Sequence, residues 1–132
     1  MERQVRDITE SFLREFIPAN VPDEADLVQT ACTEYFRYQA EHGRKARDAA
    51  PGLGFSGPEM MVFVTPIVVQ VIAATIRMLL DRWFDSRKSH IPEKEIREAI
   101  LNSSGELDPT LAKRLASEFV VYLKANPDLL AR

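Results

Sequence analysis

The chain has 132 residues, enough for one domain with a sizeable core, and its 45% apolar and 28% charged content excludes wholesale disorder. A net charge of −3 and a pI near 5.4 run against a general nucleic-acid binder, which needs a basic face. With Cys32 as its single cysteine it can form neither an intrachain disulfide nor a thiolate metal cluster, so a reducing, cytoplasmic setting is expected.

The opening residues MERQVRDITESF are too polar for a secretory signal. From Glu2 to Phe16, Val5, Ile8, Phe12, Leu13 and Phe16 recur at helical spacing between charged residues, which predicts an amphipathic helix. Pro18 and Pro22 are expected to stop it, because the residue before a proline is steered away from helix. A second helix should open at Asp23, whose carboxylate suits the positive helix end, and run to about Glu41. Its apolar stripe is Leu27, Val28, Ala31, Cys32, Tyr35 and Phe36, with Tyr38 at the edge.

From His42 to Pro58 periodicity is lost, and the segment holds four of the five glycines and a basic cluster of Arg44, Lys45 and Arg47. A long Gly/basic connection over about 42–57 is expected, a length more often functional or mobile than filler. The apolar run Met60 to Phe84 follows. At about 100° per residue, Glu59, Pro66, Gln70, Ala74, Arg77, Asp81 and Lys88 share one narrow stripe, while nearly everything else around the cylinder is apolar. This predicts a central hydrophobic helix over about 58–85, with Pro58 in its first turn and Pro66 able to kink it. The alternative is a pair of strands separated by Pro66, since the run is rich in Val, Ile and Thr.

A helix from Pro92 should carry Glu93–Arg97 and Lys94–Glu98 pairs outward and Ile96, Ile100 and Leu101 inward, closing at Gly105 in a left-handed cap. Asp108-Pro109 signals the next helix, with Leu111, Leu115, Phe119, Val120 and Leu123 on its apolar face and an end near Ala125. A last turn holds Leu129 and Leu130. The sum is an all-α single-domain bundle of about five helices around the central one.

The chemical motifs are thin. Gly52-Leu-Gly54-Phe-Ser-Gly57 matches GxGxxG but lacks the preceding strand that a dinucleotide-binding unit requires. Ser56 is not in a GxSxG elbow. His42 and His90 have no ligand at metal spacing, Asp81 and Asp85 lack further carboxylates to complete a cation cage, and Cys32 lies on an apolar helix face. A helix-turn-helix reading of the last two helices would lean on Lys113, Arg114 and Glu118, a face of mixed sign. No catalytic residue, cofactor, metal or nucleic-acid partner is therefore expected.

What the residues favour is a non-enzymatic module that binds another protein as an adaptor, regulator or inhibitor, a second copy of itself being one candidate. The expected surface combines Gln70, Arg77 and Asp81 of the polar stripe with the large side chains Trp83, Phe84, Tyr35 and Tyr38. One alternative is membrane association through residues 60–80, long enough for a hydrocarbon core of roughly 30 Å and followed by Trp83 and a basic flank. Arg77 opposes it, at about 2.5 to 3.5 kcal/mol for a charge at a span's centre. Another is a small-molecule pocket between helices, lined by Met60, Met61 and Met78 with Gln70 or Arg77 supplying polarity.

Overall fold

The computed structural model describes residues 2–42, 63–86 and 91–129. In chain order these form helix α1 (Glu2–Asn20), a 3-10 helix (Pro22–Leu27), α2 (Val28–His42), α3 (Val64–Ser86), α4 (Glu93–Ser103) and α5 (Pro109–Ala125). No strand occurs among the described residues, so the run from Val64 is a helix despite its β-branched content. The architecture is an all-α bundle. The GxGxxG match, Ser56, the basic cluster of Arg44, Lys45 and Arg47, and His90 lie outside the described residues, as do most of the expected connection and the helix start at Pro58.

Helix α1 passes through Pro18 instead of stopping before it. The penalty is small because Pro18 sits in the last turn, and both it and Arg14, whose carbonyl loses a donor, are exposed. Past the proline, Val21 N–H donates to the Ile17 carbonyl and the Asn20 side chain to that of Phe16. The turn beyond is a 3-10 helix, so α2 begins at Val28 and not at Asp23. Phe63 forms a bend, and α3 starts at Val64. Pro66 thereby falls in the first turn, where backbone N–H groups have no helical acceptor, and nothing forces a kink there.

Contacts between elements give their directions. Glu24, just ahead of α2, meets Thr65 at the start of α3 across 41 residues of sequence, and Tyr35 meets Arg77 across 42. A constant offset means that α2 and α3 run the same way. The chain must therefore leave α2 at one end of the bundle and enter α3 at the other, roughly 22 Å apart for a helix of this length. No tight turn can do that, which is the physical reason for a long connection at this point. Helix α5 runs antiparallel to α1, with Asn20 against Glu118 at one end and Gln4 against the Leu129 carbonyl at the other.

Helix α3 packs on α1, α2 and α4, and α1 packs on α2, α3 and α5, so the centre is shared by two helices. Both carry fully buried side chains along their length, including Val5, Leu13, Phe16 and Ile17 of α1 and Val68, Val69, Ile72, Ala73 and Ile76 of α3. The aromatic part of the core belongs to α1 and α5. The Phe12 ring lies 5.0 Å from Phe119 edge-on, 5.4 Å from Tyr122 and 5.5 Å from Phe16. Burying each such ring is worth about 1.5–3 kcal/mol, with roughly 0.5–1.5 more for a well-placed pair.

Two expectations for α4 are corrected. Ile96 and Ile100 are buried, but Leu101 is 44% exposed, one step round the helix from the α3–α5 seam. Gly105 takes no left-handed conformation. The helix is closed instead by Ser104, whose N–H bonds the Leu101 carbonyl and whose hydroxyl bonds that of Ile100. Helix α5 opens as expected, with the Asp108 carboxylate accepting from Thr110 N–H at 3.0 Å and Leu111 N–H at 3.3 Å. Between α4 and α5, Lys124 and then Arg97 hold the exposed Glu93 carboxyl below the usual range.

Candidate functional site

The residues expected to form one surface separate into two groups. Gln70 is half-buried and Asp81 exposed, on the outer side of α3, and Tyr38 is half-buried on α2. Trp83 and Phe84 lie within α3, but their side chains fall outside the described residues. Arg77 and Tyr35 are interior, at 8% and 5% exposure. The polar stripe of α3 is therefore not open to water along its whole length. It turns inward at Arg77, because another carboxylate in the fold reaches that position.

That carboxylate is Glu2, in the first turn of α1. Arg77 Nε donates to its Oε1 at 2.9 Å and Nη2 to its Oε2 at 3.0 Å, a two-pronged match of guanidinium edge to carboxylate. The third nitrogen, Nη1, donates to the Tyr35 hydroxyl at 2.7 Å, and the guanidinium carbon lies 5.5 Å from the centre of that ring. Burial works against the charge on Arg77, but the hydrogen bonds to Glu2 and Tyr35 outweigh it and hold its pKa above the ordinary arginine value. One ion pair thus ties the start of α1 to the middle of α2 and to α3. The sequence shows Arg77 as an oddity in an apolar run but carries no local sign of its partner, 75 residues away.

A second carboxylate, and this one buried, is Glu24 of the 3-10 helix, which had no expected role. It is 9% exposed and accepts from Val64 N–H at 3.1 Å and Thr65 N–H at 2.7 Å. Those are orphan donors of the first turn of α3, and Phe63 before them has no side-chain acceptor. Glu24 is thus a cap supplied by another element, with its charge at the positive end of the helix. The signal available in sequence was negative: an apolar helix opening Phe-Val-Thr without a local cap. Among the described residues, two buried side-chain oxygens have no hydrogen bond, Gln39 Oε1 on α2 and Thr65 Oγ1 beside the Glu24 cap.

Cys32 is wholly buried. Burial first, and the Glu10 charge second, push its thiol up to about 12 against the opposing pull of Arg6 and Arg14. A thiol that remains protonated is neither nucleophile nor metal ligand. The folded protein should therefore leave Ellman's reagent unreacted at pH 8 and consume one equivalent once unfolded in guanidinium. Because an unfolded thiol ionises near pH 8.5 and the folded one near 12, this contribution to stability is complete below about pH 8.5 and is lost as pH rises towards 12. A fast thiol reaction in the native state would contradict the burial.

Among the described residues no group of three or more His, Cys, Asp or Glu side chains could hold a metal ion. Asp81 stands exposed, and the Asp85 side chain and that of His42 fall outside the described residues. On α5, Arg114 donates to Asn20 Oδ1 at 3.0 Å and Glu118 accepts from Asn20 Nδ2 at 3.1 Å. Two of the three side chains that a helix-turn-helix reading needs for bases are thus engaged with α1. The segment Val64–Arg82 has the length and composition of a membrane span, with a mean hydropathy of 1.6, and 61% of that window is buried inside the fold.

No family model, curated protein or solved structure matches the chain.

Proposed function

We propose that the chain is a non-enzymatic helical module that binds another protein, as an adaptor or regulator in the cytoplasm, through the outer strip of α3. The reading is carried by one observation. On a helix otherwise packed against α1, α2 and α4, Ile67, Gln70, Ala74 and Met78 recur at helical spacing and remain half-buried or exposed, followed by exposed Asp81. A strip of that pattern suits the facing half of a helix–helix contact, and Ala74 at its middle leaves room for a close approach. The occupant we assign is an amphipathic helix of a partner protein. Its apolar side would meet Ala74 and the parts of Ile67 and Met78 that their packing on the core leaves uncovered, and a basic residue would meet Asp81, which has no ion pair among the described residues. The net charge of −3 favours approach of such a partner. Membrane insertion of α3 would instead require stripping three packed helices from it.

A benzophenone side chain installed at position 74 in cells tests the assignment, with position 113 on α5 as an exposed control. A single protein captured from 74 and not from 113, with the crosslinked peptide mapping to an amphipathic helix, is the expected result. Capture of lipid, or of a second copy of this chain, would overturn the assigned partner.

A further inference from the structure

We propose that Arg77 and Tyr35 form a carboxylate-binding site, and that its present occupant, Glu2, can be exchanged for a carboxylate from outside the chain. The receptor half is built into the interior of α2 and α3. Arg77 is 8% exposed and is held by its Nη1 on the Tyr35 hydroxyl at 2.7 Å, with the guanidinium over the Tyr35 ring. That arrangement leaves the edge formed by Nε and Nη2 facing the start of α1, two parallel donors spaced for the two oxygens of one carboxylate. Glu2 fills this edge at 2.9 and 3.0 Å. The occupant is held quite differently from its receptor. It sits in the first turn of α1, where the backbone N–H groups lack helical acceptors and ends open most easily, and its side chain is 39% exposed against 10% for that of Arg77. A buried guanidinium cannot stay without a counter-charge, so departure of Glu2 leaves a vacancy that selects for another carboxylate. The proposal is independent of the outer strip of α3, since Arg77 faces the interior.

Chemical rescue tests it. In the variant Glu2→Ala, acetate and formate should raise Tm saturably, by about 5 °C at ten times their Kd, while chloride at equal ionic strength should not. The double variant Glu2→Ala/Arg77→Met should lose this response. Equal effects of acetate and chloride, or a response that survives the loss of Arg77, would show that there is no carboxylate site. Exchange in the intact protein is read separately, and also serves if Glu2→Ala does not fold. Acetate titrated into the unmutated chain should shift the Arg77 Nε–H resonance, with saturation at higher concentration than in the variant. A resonance indifferent to acetate would make Glu2 a permanent structural partner and overturn exchange. Replacing acetate by an N-acetylated dipeptide separates the sources: rescue by both supports a chain-terminal carboxylate as ligand, and rescue by acetate alone supports small free acids.

Discussion

Val71→Asp should leave the chain without a cooperative native state at pH 7. Val71 is 4% exposed on α3, in the layer that meets the neighbouring helices. An aspartate there can stay ionised, at a desolvation cost of several kcal/mol, or take up a proton. The second course sets the ceiling. A buried carboxyl shifts by up to roughly 3–5 pKa units, but at pH 7 protonation spans only the roughly 3 units above the unfolded pKa, at about 1.4 kcal/mol each, or about 4 kcal/mol before the loss of valine packing is added. With roughly 1.5–3 kcal/mol more for the lost valine burial, the sum matches the lower part of the typical range of about 5–15 kcal/mol for a domain. The pH dependence has a distinctive sign. The variant's folded carboxyl has a pKa raised above the unfolded value, so the variant is best tolerated below about pH 4 and worsens as pH rises. Thermal and urea melts followed by circular dichroism provide the measurement. Ala74→Asp, three residues on at an exposed position, isolates helix propensity and should cost less than about 1 kcal/mol. Similar melts for the two variants would mean that α3 is not buried along the Val71 side.

The second large effect is expected at Glu24. Glu24→Ala strands the buried Thr65 N–H and the half-buried Val64 N–H, and an unsatisfied buried donor costs about 1–3 kcal/mol where a lost cap alone costs about 0.5–2. We therefore expect a loss of about 2–4 kcal/mol for the pair, given that the two donors share one carboxylate. Glu24→Gln keeps one acceptor oxygen but loses the charge at the helix N-terminus, and should fall between Ala and the native chain. Asp26→Ala, an exposed acidic residue of the same 3-10 helix, should change stability by less than about 0.5 kcal/mol. A midpoint for Glu24→Ala no lower than that of Asp26→Ala would rule out the carboxylate as a cap on α3.

These two residues also mark how far the sequence could be read. Val71 was legible: its place on the apolar circumference follows from helical period, and the fold buries it there. The apolar faces of the other helices were legible for the same reason, as was the Asp108-Pro109 start of α5, whose cap is made within three residues. Leu101 shows the margin of that reasoning, since an apolar residue at the edge of a stripe can fall on either side of a seam. Glu24 was illegible, because a capping pair separated by 41 residues leaves no mark in either local segment.

The candidate surface divides along the same line. Gln70 is half-buried and Asp81 exposed, the outward direction that their position on α3 predicts. Arg77 shares their stripe, and its period alone gave it the same direction. It turns inward because Glu2, from the far end of the sequence, and Tyr35, from α2, meet it in space and supply what a charge requires to be buried.

Helix content and most of the helix ends followed from the sequence by itself, because hydrophobic period, caps and prolines act within a turn or two of chain. The tertiary structure alone decided that α2 and α3 run the same way, that α1 shares the centre with α3, that Glu24 caps α3 and that Arg77 is paired inside. Each of these depends on groups brought together by packing. A lone polar residue in an apolar helix does not announce whether it faces water or a distant partner. The carboxylate that answers the question for Arg77, itself partly open to water, comes from the first turn of α1.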